Sequence, residues 1–260
     1  MARQKLGQHF LADLAWRKKI LATLGIAHGE KWVEIGPGHG EMTELLARAG
    51  ARVTAIETDA RLAEGLQRNA AEWGDVEIIR GDVLETDFAG VATGERFRVY
   101  GNLPYYITSP ILRRMFQAAE RIDAIHIVIQ LEVAERIVAR PGRREYAYLS
   151  ALCQYFAQPE MVMKIPAGAF RPPPKVTSAL VKMTLPGERA KLGVGEDSAF
   201  LEFLQACFAQ KRKTLRNNLR AVATAGRVEM ALGSCGIGAN ARAEELGLRE
   251  FAEVYRGIAE

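Results

Sequence analysis

Lys31-Trp32-Val33-Glu34-Ile35-Gly36-Pro37-Gly38-His39-Gly40-Glu41-Met42 is the stretch that decides the fold. Lys31 to Ile35 read as a strand, the glycines as a tight turn, and Met42, Leu45 and Leu46 as the apolar face of a helix. Strand, glycine turn and helix open a nucleotide-binding βαβ unit. Glycines there let the backbone turn sharply and come within contact distance of a ligand. The spacing is G-x-G-x-G, not the G-x-G-x-x-G of dinucleotide sites, and the lysine of a phosphate-binding P-loop is missing. The turn alone therefore does not name its ligand.

Outward from this unit the same pattern repeats. Arg52–Ile56 reads as a second strand with Glu57 at its end, about 20 positions past the first glycine, where an acid can accept both ribose hydroxyls of an adenosine. An ordinary acid at a helix N-terminus is the competing reading. Val76–Ile79 is a third strand, closed by Gly81-Asp82, and Asp82 can accept from an adenine amino group. Three consecutive strands thus end in Gly or an acid on one sheet edge. Phe97, Val99 and Tyr100 read as a fourth, ended by Gly101, and Ser109-Pro110 as the N-cap and first residue of a helix over 109–120. Ala124–Ile129 is apolar enough for a central strand, with His126 a core residue, and Ser178–Leu185 alternates as an antiparallel closing strand would.

Asn102-Leu103-Pro104-Tyr105 then lies outside the carboxyl end of a strand, where open α/β sheets bind ligands. These residue types suit the gripping of an exocyclic amine. The Asn102 amide oxygen is an acceptor. Pro104 holds Leu103 extended, so the Leu103 carbonyl can point outward. Tyr105 offers a face on which a base can stack. An ordinary strand-to-helix turn has the same composition, and both readings stay open on these residues alone. In Phe170-Arg171-Pro172-Pro173-Pro174-Lys175 the prolines enforce an extended segment. It presents Phe170 as a second stacking face, or it is a linker with Phe170 buried.

At the N-terminus a polar, basic lead-in over residues 3–12 precedes a helix whose apolar face holds Leu14, Ile20, Leu21 and Leu24. Pro141-Gly142-Arg143-Arg144 is a basic loop before Tyr146. From Pro186 the composition turns to Gly, Glu and Lys, which predicts two domains, 1–186 and 187–260, the second a small helical bundle. In it Arg212, Arg216 and Arg220 have the spacing of one helical face, suited to phosphates or simply solvated.

The 260 residues are 48% hydrophobic and 25% charged, ordinary for a folded protein, and the net charge of +4 suits a polyanionic partner. Cys153, Cys207 and Cys235 lie far apart, with neither a disulfide framework nor a zinc pattern, so no metal is expected and a reducing cytoplasm fits. No apolar run is long enough to span a membrane.

The chain resembles the ribosomal RNA small-subunit adenine N6,N6-dimethyltransferases (the KsgA type) almost end to end. The resemblance rests on Gly7-Gln8-His9-Phe10-Leu11, Glu34 to Gly40, Gly81-Asp82, Asn102 to Tyr105, Gln130 to Arg136, Phe170 to Val176 and Lys211 to Leu219. It implies a Rossmann-like S-adenosylmethionine-dependent α/β sheet with a small C-terminal helical domain that contacts RNA. The implied reaction is dimethylation of two adjacent adenosines near the 3′ end of small-subunit ribosomal RNA, coupled to small-subunit assembly; nothing in the sequence demands a dimer, and a monomer is expected. It further implies that His9 and Leu11 close over the cofactor and that Gly36, with Gly38, passes beneath its methionine part. Glu57 would take the ribose, Asp82 the adenine amine, and Asn102 would link cofactor to target base. Tyr105 and Phe170 would stack the target adenine. Two positions depart from the pattern: His9, where Asn is common, and Ala147, where Gly is expected. The competing expectations are a large-subunit methyltransferase of the macrolide-resistance type and a non-catalytic assembly factor.

Overall fold

The computed structural model describes residues 9–91, 94–104 and 107–259. Its strands are β1 (Phe10–Leu11), β2 (Lys31–Ile35), β3 (Arg52–Glu57), β4 (Val76–Arg80), β5 (Phe97–Asn102), β6 (Ile122–Gln130), β7 (Gln158–Ile165), β8 (Phe170–Arg171) and β9 (Ser178–Thr184). Seven of them form one sheet in the order β4-β3-β2-β5-β6-β9-β7, and β1 pairs with β8 apart from it. β2 to β6 run parallel to one another, and β9 is antiparallel to β6. The chain builds outward from β2 to β4, then returns to lay β5 on the other side of β2. Strand order reverses between β2 and β5, and such a switch point opens a crevice at the carboxyl ends of the strands.

Contacts within the chain divide it into two units, residues up to Ala134 with Glu160–Leu185, and Glu135–Pro159 with Pro186–Glu260. Composition predicts one boundary, at 186. The chain also crosses at 135 and 160, because Tyr146 and Tyr155 of the segment 135–159 pack on Phe208 and Phe200 of the later helices.

The first unit carries α1 (Leu14–Leu24), α2 (Glu41–Arg48), α3 (Ala60–Trp73), α4 (Phe88–Val91), α5 (Thr108–Phe116) and the start of α6 (Leu131–Val138). Register pairs Glu34 with Tyr100 and Tyr100 with His126. Residues at one register point to one face, so Trp32, Glu34, Tyr100 and His126 share a side of the sheet. Ile20 and Leu24 of α1 and Met42 and Leu46 of α2 cover that side. Leu14, expected on the apolar face of α1, is half exposed. His126 is buried beside the Trp32 ring at 5.6 Å, and burial drops its pKa to about 3, which keeps it neutral.

Two local expectations shift. β5 does not end at Gly101 but runs through Asn102, with Gly101 pairing Ile35 and Ile127. A Cβ on Gly101 would stand 2.8 Å from Leu103 Cδ2 and 3.2 Å from the Ile35 carbonyl oxygen. α5 begins at Thr108, so Ser109 and Pro110 lie inside its first turn. Proline fits there because the first four N–H groups of a helix lack intrahelical partners. The start is set by Ile107 N–H and Thr108 Oγ1 donating to the Pro104 carbonyl (both 3.3 Å).

The second unit holds the rest of α6, α7 (Tyr148–Phe156), α8 (Arg189–Leu192), α9 (Asp197–Cys207), α10 (Leu215–Leu219), α11 (Ala225–Ser234) and α12 (Leu248–Ala259). Its core is aromatic: Tyr155, Phe200, Phe203 and Tyr255 interlock, and Phe208 packs on Phe251 at 5.4 Å. The arginines do not form one helical stripe. Thr214 caps α10 by accepting from Asn217 N–H, which leaves Arg212 in the preceding turn. Arg216 pairs with Glu229 at 3.2 Å. Among the described residues no helix is long and apolar enough to cross a membrane.

Candidate functional site

A cavity of about 210 Å³ opens at the switch point. Its walls come from the carboxyl ends of four parallel strands: Ile35 and Gly36 after β2, Glu57 and Thr58 after β3, Gly81 and Asp82 after β4, Asn102, Leu103 and Pro104 after β5. His9, Phe10 and Gly38 close it from above the glycine turn, and Ile107 and Ile111 from α5.

The glycine turn explains itself atom by atom. Gly36, Gly38 and Gly40 all have positive φ (66°, 62° and 89°), where a side chain is strained. A Cβ on Gly36 would meet nothing within 4 Å, so bare backbone faces open space there. A Cβ on Gly38 would lie 2.7 Å from the Phe10 ring, which rests on this glycine and beside His39 at 5.0 Å.

Glu57 is buried at the end of β3, with Oε2 accepting from Gly38 N–H at 3.1 Å and Oε1 from Asp59 N–H at 2.9 Å. Burial raises its pKa, against the pull of these backbone donors. The carboxylate thus clamps the turn and keeps its remaining lone pairs at the cavity. Asp82 is exposed, with Oδ1 accepting from Leu84 N–H at 2.9 Å, which fixes the carboxylate at the cavity wall. Behind the turn Glu34 is 3% exposed, and its pKa is pushed up to about 8. Desolvation does most of this, and the charges of Glu41 and Glu57 add to it.

On the other wall, Asn102 Nδ2 donates to the His9 carbonyl at 2.8 Å. This fixes the amide's orientation and leaves Oδ1 as an acceptor. Leu103 N–H donates to the Val128 carbonyl at 3.1 Å, and the Leu103 carbonyl accepts nothing from the described residues. His9 itself is held by Nδ1 at 2.8 Å from the Pro172 carbonyl oxygen. The lead-in is therefore sewn to the proline segment. β1 pairs with β8, Leu11 opposite Phe170, and Ala12 and Asp13 N–H both donate to Ala169 O.

That stitching corrects two expectations. Phe170 is fully buried, packed with Leu11, Tyr100 and Val128 in the sheet core, and offers no open face for stacking. Leu11 is likewise 6% exposed in that core and does not line the cavity. Both are at register positions of a strand pair whose apolar side must be buried. Phe10, between His9 and Leu11 and given no role of its own from the sequence, is the neighbour that reaches the glycine turn. Alternation along His9-Phe10-Leu11 is the signal that could have found it. Tyr105 lies outside the described residues. Ala147 departs from the expected Gly without cost, since its φ of −155° is extended backbone that any residue adopts. Among the described residues no cluster of His, Cys, Asp or Glu could hold a metal ion.

A family model described as ribosomal RNA adenine dimethylase matches residues 1–260. A ribosomal RNA small subunit methyltransferase A of Acidobacterium capsulatum is 42% identical over 258 residues, covering 98% of this chain and 91% of the relative. One of Levilactobacillus brevis is 37% identical over 264 residues, 98% of this chain and 89% of that protein. Among solved structures, a dimethyladenosine transferase from Plasmodium falciparum superposes with a TM-score of 0.80 at 24% identity, over 95% and 96% of the two chains. The 23S rRNA methyltransferase ErmE superposes with a TM-score of 0.70 at 26% identity, over 96% and 100%.

Proposed function

This chain belongs to the ribosomal RNA adenine dimethylase family, and from that premise we propose its reaction. It transfers methyl groups from S-adenosylmethionine to N6 of two adjacent adenosines near the 3′ end of small-subunit ribosomal RNA, as a monomer acting on the assembling small subunit in the cytoplasm. Relatives named for the small subunit share about 40% of residues with it over nearly their whole length. The large-subunit enzyme shares 26%.

The cavity fits the cofactor on its own evidence. Open space beside Gly36 admits a ligand against bare backbone. Glu57, held at both oxygens by backbone donors, presents its remaining lone pairs to ribose hydroxyls. Asp82 accepts from the adenine amine, and His9 and Gly38 close the pocket. Bound there, S-adenosylmethionine supplies an electrophilic methyl group; the protein supplies position and electrostatics.

One observation carries the reading: Asn102 is fixed by its bond to the His9 carbonyl in the same cavity that Glu57 and Asp82 line. Asn102 Oδ1 and the Leu103 carbonyl are then two acceptors for the two hydrogens of the target amine. They favour tetrahedral nitrogen and stabilise the positive charge that develops on it. The resemblance gives Tyr105, which lies outside the described residues, the stacking of the extruded base, to offset the stacking lost when it leaves the RNA. The product ammonium is acidic, so its proton passes to water without a dedicated base.

Methyl transfer from labelled S-adenosylmethionine to unmethylated small subunits, with large-subunit RNA alongside, tests this. Dimethyladenosine is expected in small subunits alone. Label in large-subunit RNA, or cofactor binding with no transfer anywhere, overturns it. Asn102→Ala is expected to abolish transfer with cofactor affinity held within a few fold, and full activity in that variant would remove the role given to Asn102.

A further inference from the structure

The second unit contains a cavity of about 300 Å³ that the reaction above does not use. Its walls are Tyr146, Ala147 and Leu149 at the start of α7, Cys207 and Phe208 at the end of α9, and Ala243. The Tyr146 and Phe208 rings meet edge to face at 5.8 Å. Two aromatic rings and small apolar side chains make a slot of the size that small ligands occupy, ~300–1,000 Å³.

Its rim is cationic. Lys211 and Lys213 line the mouth from the exposed turn before α10, with Arg136 from α6. Asn218 holds that turn in place, with Nδ2 donating to the carbonyls of Cys207 (2.7 Å) and Gln210 (3.3 Å). Lys211 Nζ donates to the Arg144 carbonyl at 2.7 Å, and Gly142 N–H to the Glu244 carbonyl at 2.7 Å. These bonds seat the basic loop, with exposed Arg140, Arg143 and Arg144, beside the mouth. Glu244 is the acid at the rim, and it faces Arg242 at 4.0 Å.

We infer that this cavity receives one unstacked nucleotide of the RNA, its base against the wall formed by Phe208, Ala147 and Leu149, with Tyr146 packed edge-on behind Phe208, and its flanking phosphates on Lys211 and Lys213. Apolar aromatic walls under a cationic mouth are what an extruded base and its backbone require together. A buried apolar slot alone would suit any small hydrophobe; the charge around its mouth selects a polyanion. The inference rests on RNA being the substrate. It adds a second anchoring point, in the helical unit, to the one at the methyl-transfer cavity.

The full chain is irradiated with a small-subunit RNA 3′-terminal fragment carrying 4-thiouridine, and crosslinked peptides are mapped. Crosslinks to Tyr146 or Phe208 are expected, and they should be lost in Ala147→Leu, whose extended backbone accepts leucine while the side chain fills the slot. Ala147→Leu and the surface variant Lys213→Glu should each raise KM for small subunits about tenfold, ~1.4 kcal/mol, with kcat and cofactor affinity within twofold of wild type. Adenosine monophosphate should compete only at far higher concentration than the fragment; equal competition would make this a free-nucleotide site and overturn the inference. Crosslinks elsewhere with Tyr146 and Phe208 unmodified overturn it too, as does an unchanged KM in both variants. Crosslinks in the slot without methyl transfer to any RNA would uphold it and overturn the proposed reaction instead.

Discussion

Glu34 offers a measurement in which the buried electrostatics beneath the glycine turn can be read directly. The carboxyl sits 3% exposed on the covered side of the sheet, with a pKa near 8 against 4.5 when unfolded. The folded state therefore holds the proton more tightly. Below pH 4.5 Glu34 contributes no penalty. As pH rises from 4.5 to 8 the unfolded chain has lost the proton and the folded chain still holds it, so stability falls throughout that window and levels above it. At 1.36 kcal/mol for each unit of difference, the fall between pH 5 and pH 9 is ~4 kcal/mol. Glu34→Gln keeps the shape and removes the titration. Urea unfolding of wild type and variant at intervals from pH 5 to 9 isolates the effect, because groups that do not interact with Glu34 cancel in the difference. The variant should gain on wild type by roughly that amount across the range, most of it before pH 8. Two curves that stay parallel would mean that Glu34 ionises at its ordinary value, and that the pocket behind the turn is wet or carries a compensating cation.

Three further outcomes separate structural from catalytic roles. Phe170→Ala should lower stability by ~3–5 kcal/mol, since it empties a fully buried site in the sheet core; unchanged stability with lost turnover would instead put that ring on the target base. Gly101→Ala drives a Cβ into Leu103 and the Ile35 carbonyl, and a displacement of the Asn102–Leu103 acceptors by a fraction of an ångström should cost ~10-fold or more in methyl transfer while cofactor affinity, read by equilibrium titration, holds within a few fold. Lys211→Ala and Lys213→Ala should each reduce the slope of log affinity for RNA against log salt by ~0.7–0.9. Arg216→Ala should leave that slope in place, because its guanidinium is engaged by Glu229; equal effects from all three would restore a continuous basic stripe.

Local chemistry made much of this protein readable in one dimension. Strand, glycine turn and acid follow from rules of a few residues' reach: positive φ needs glycine, alternation needs a sheet, and a polar residue just past a strand faces the crevice. Gly36, Gly38, Glu57, Asp82, Asn102 and Pro104 all meet at one cavity for that reason. What the sequence could not decide is where long-range pairing sends a side chain. Phe170 and Leu11 are 159 positions apart and become register partners only when the lead-in adds itself to the proline segment. That pairing buries both and turns Phe10 onto Gly38. The arginine spacing failed for a similar reason, since a helical face exists only where a helix does, and the Thr214 cap starts α10 after Arg212. The segment 135–159 reads as continuous with its neighbours, yet its apolar residues find their partners past residue 186. Backbone conformation is a local property and sequence states it; the choice among buried partners is a property of the closed core, and only the tertiary structure makes it.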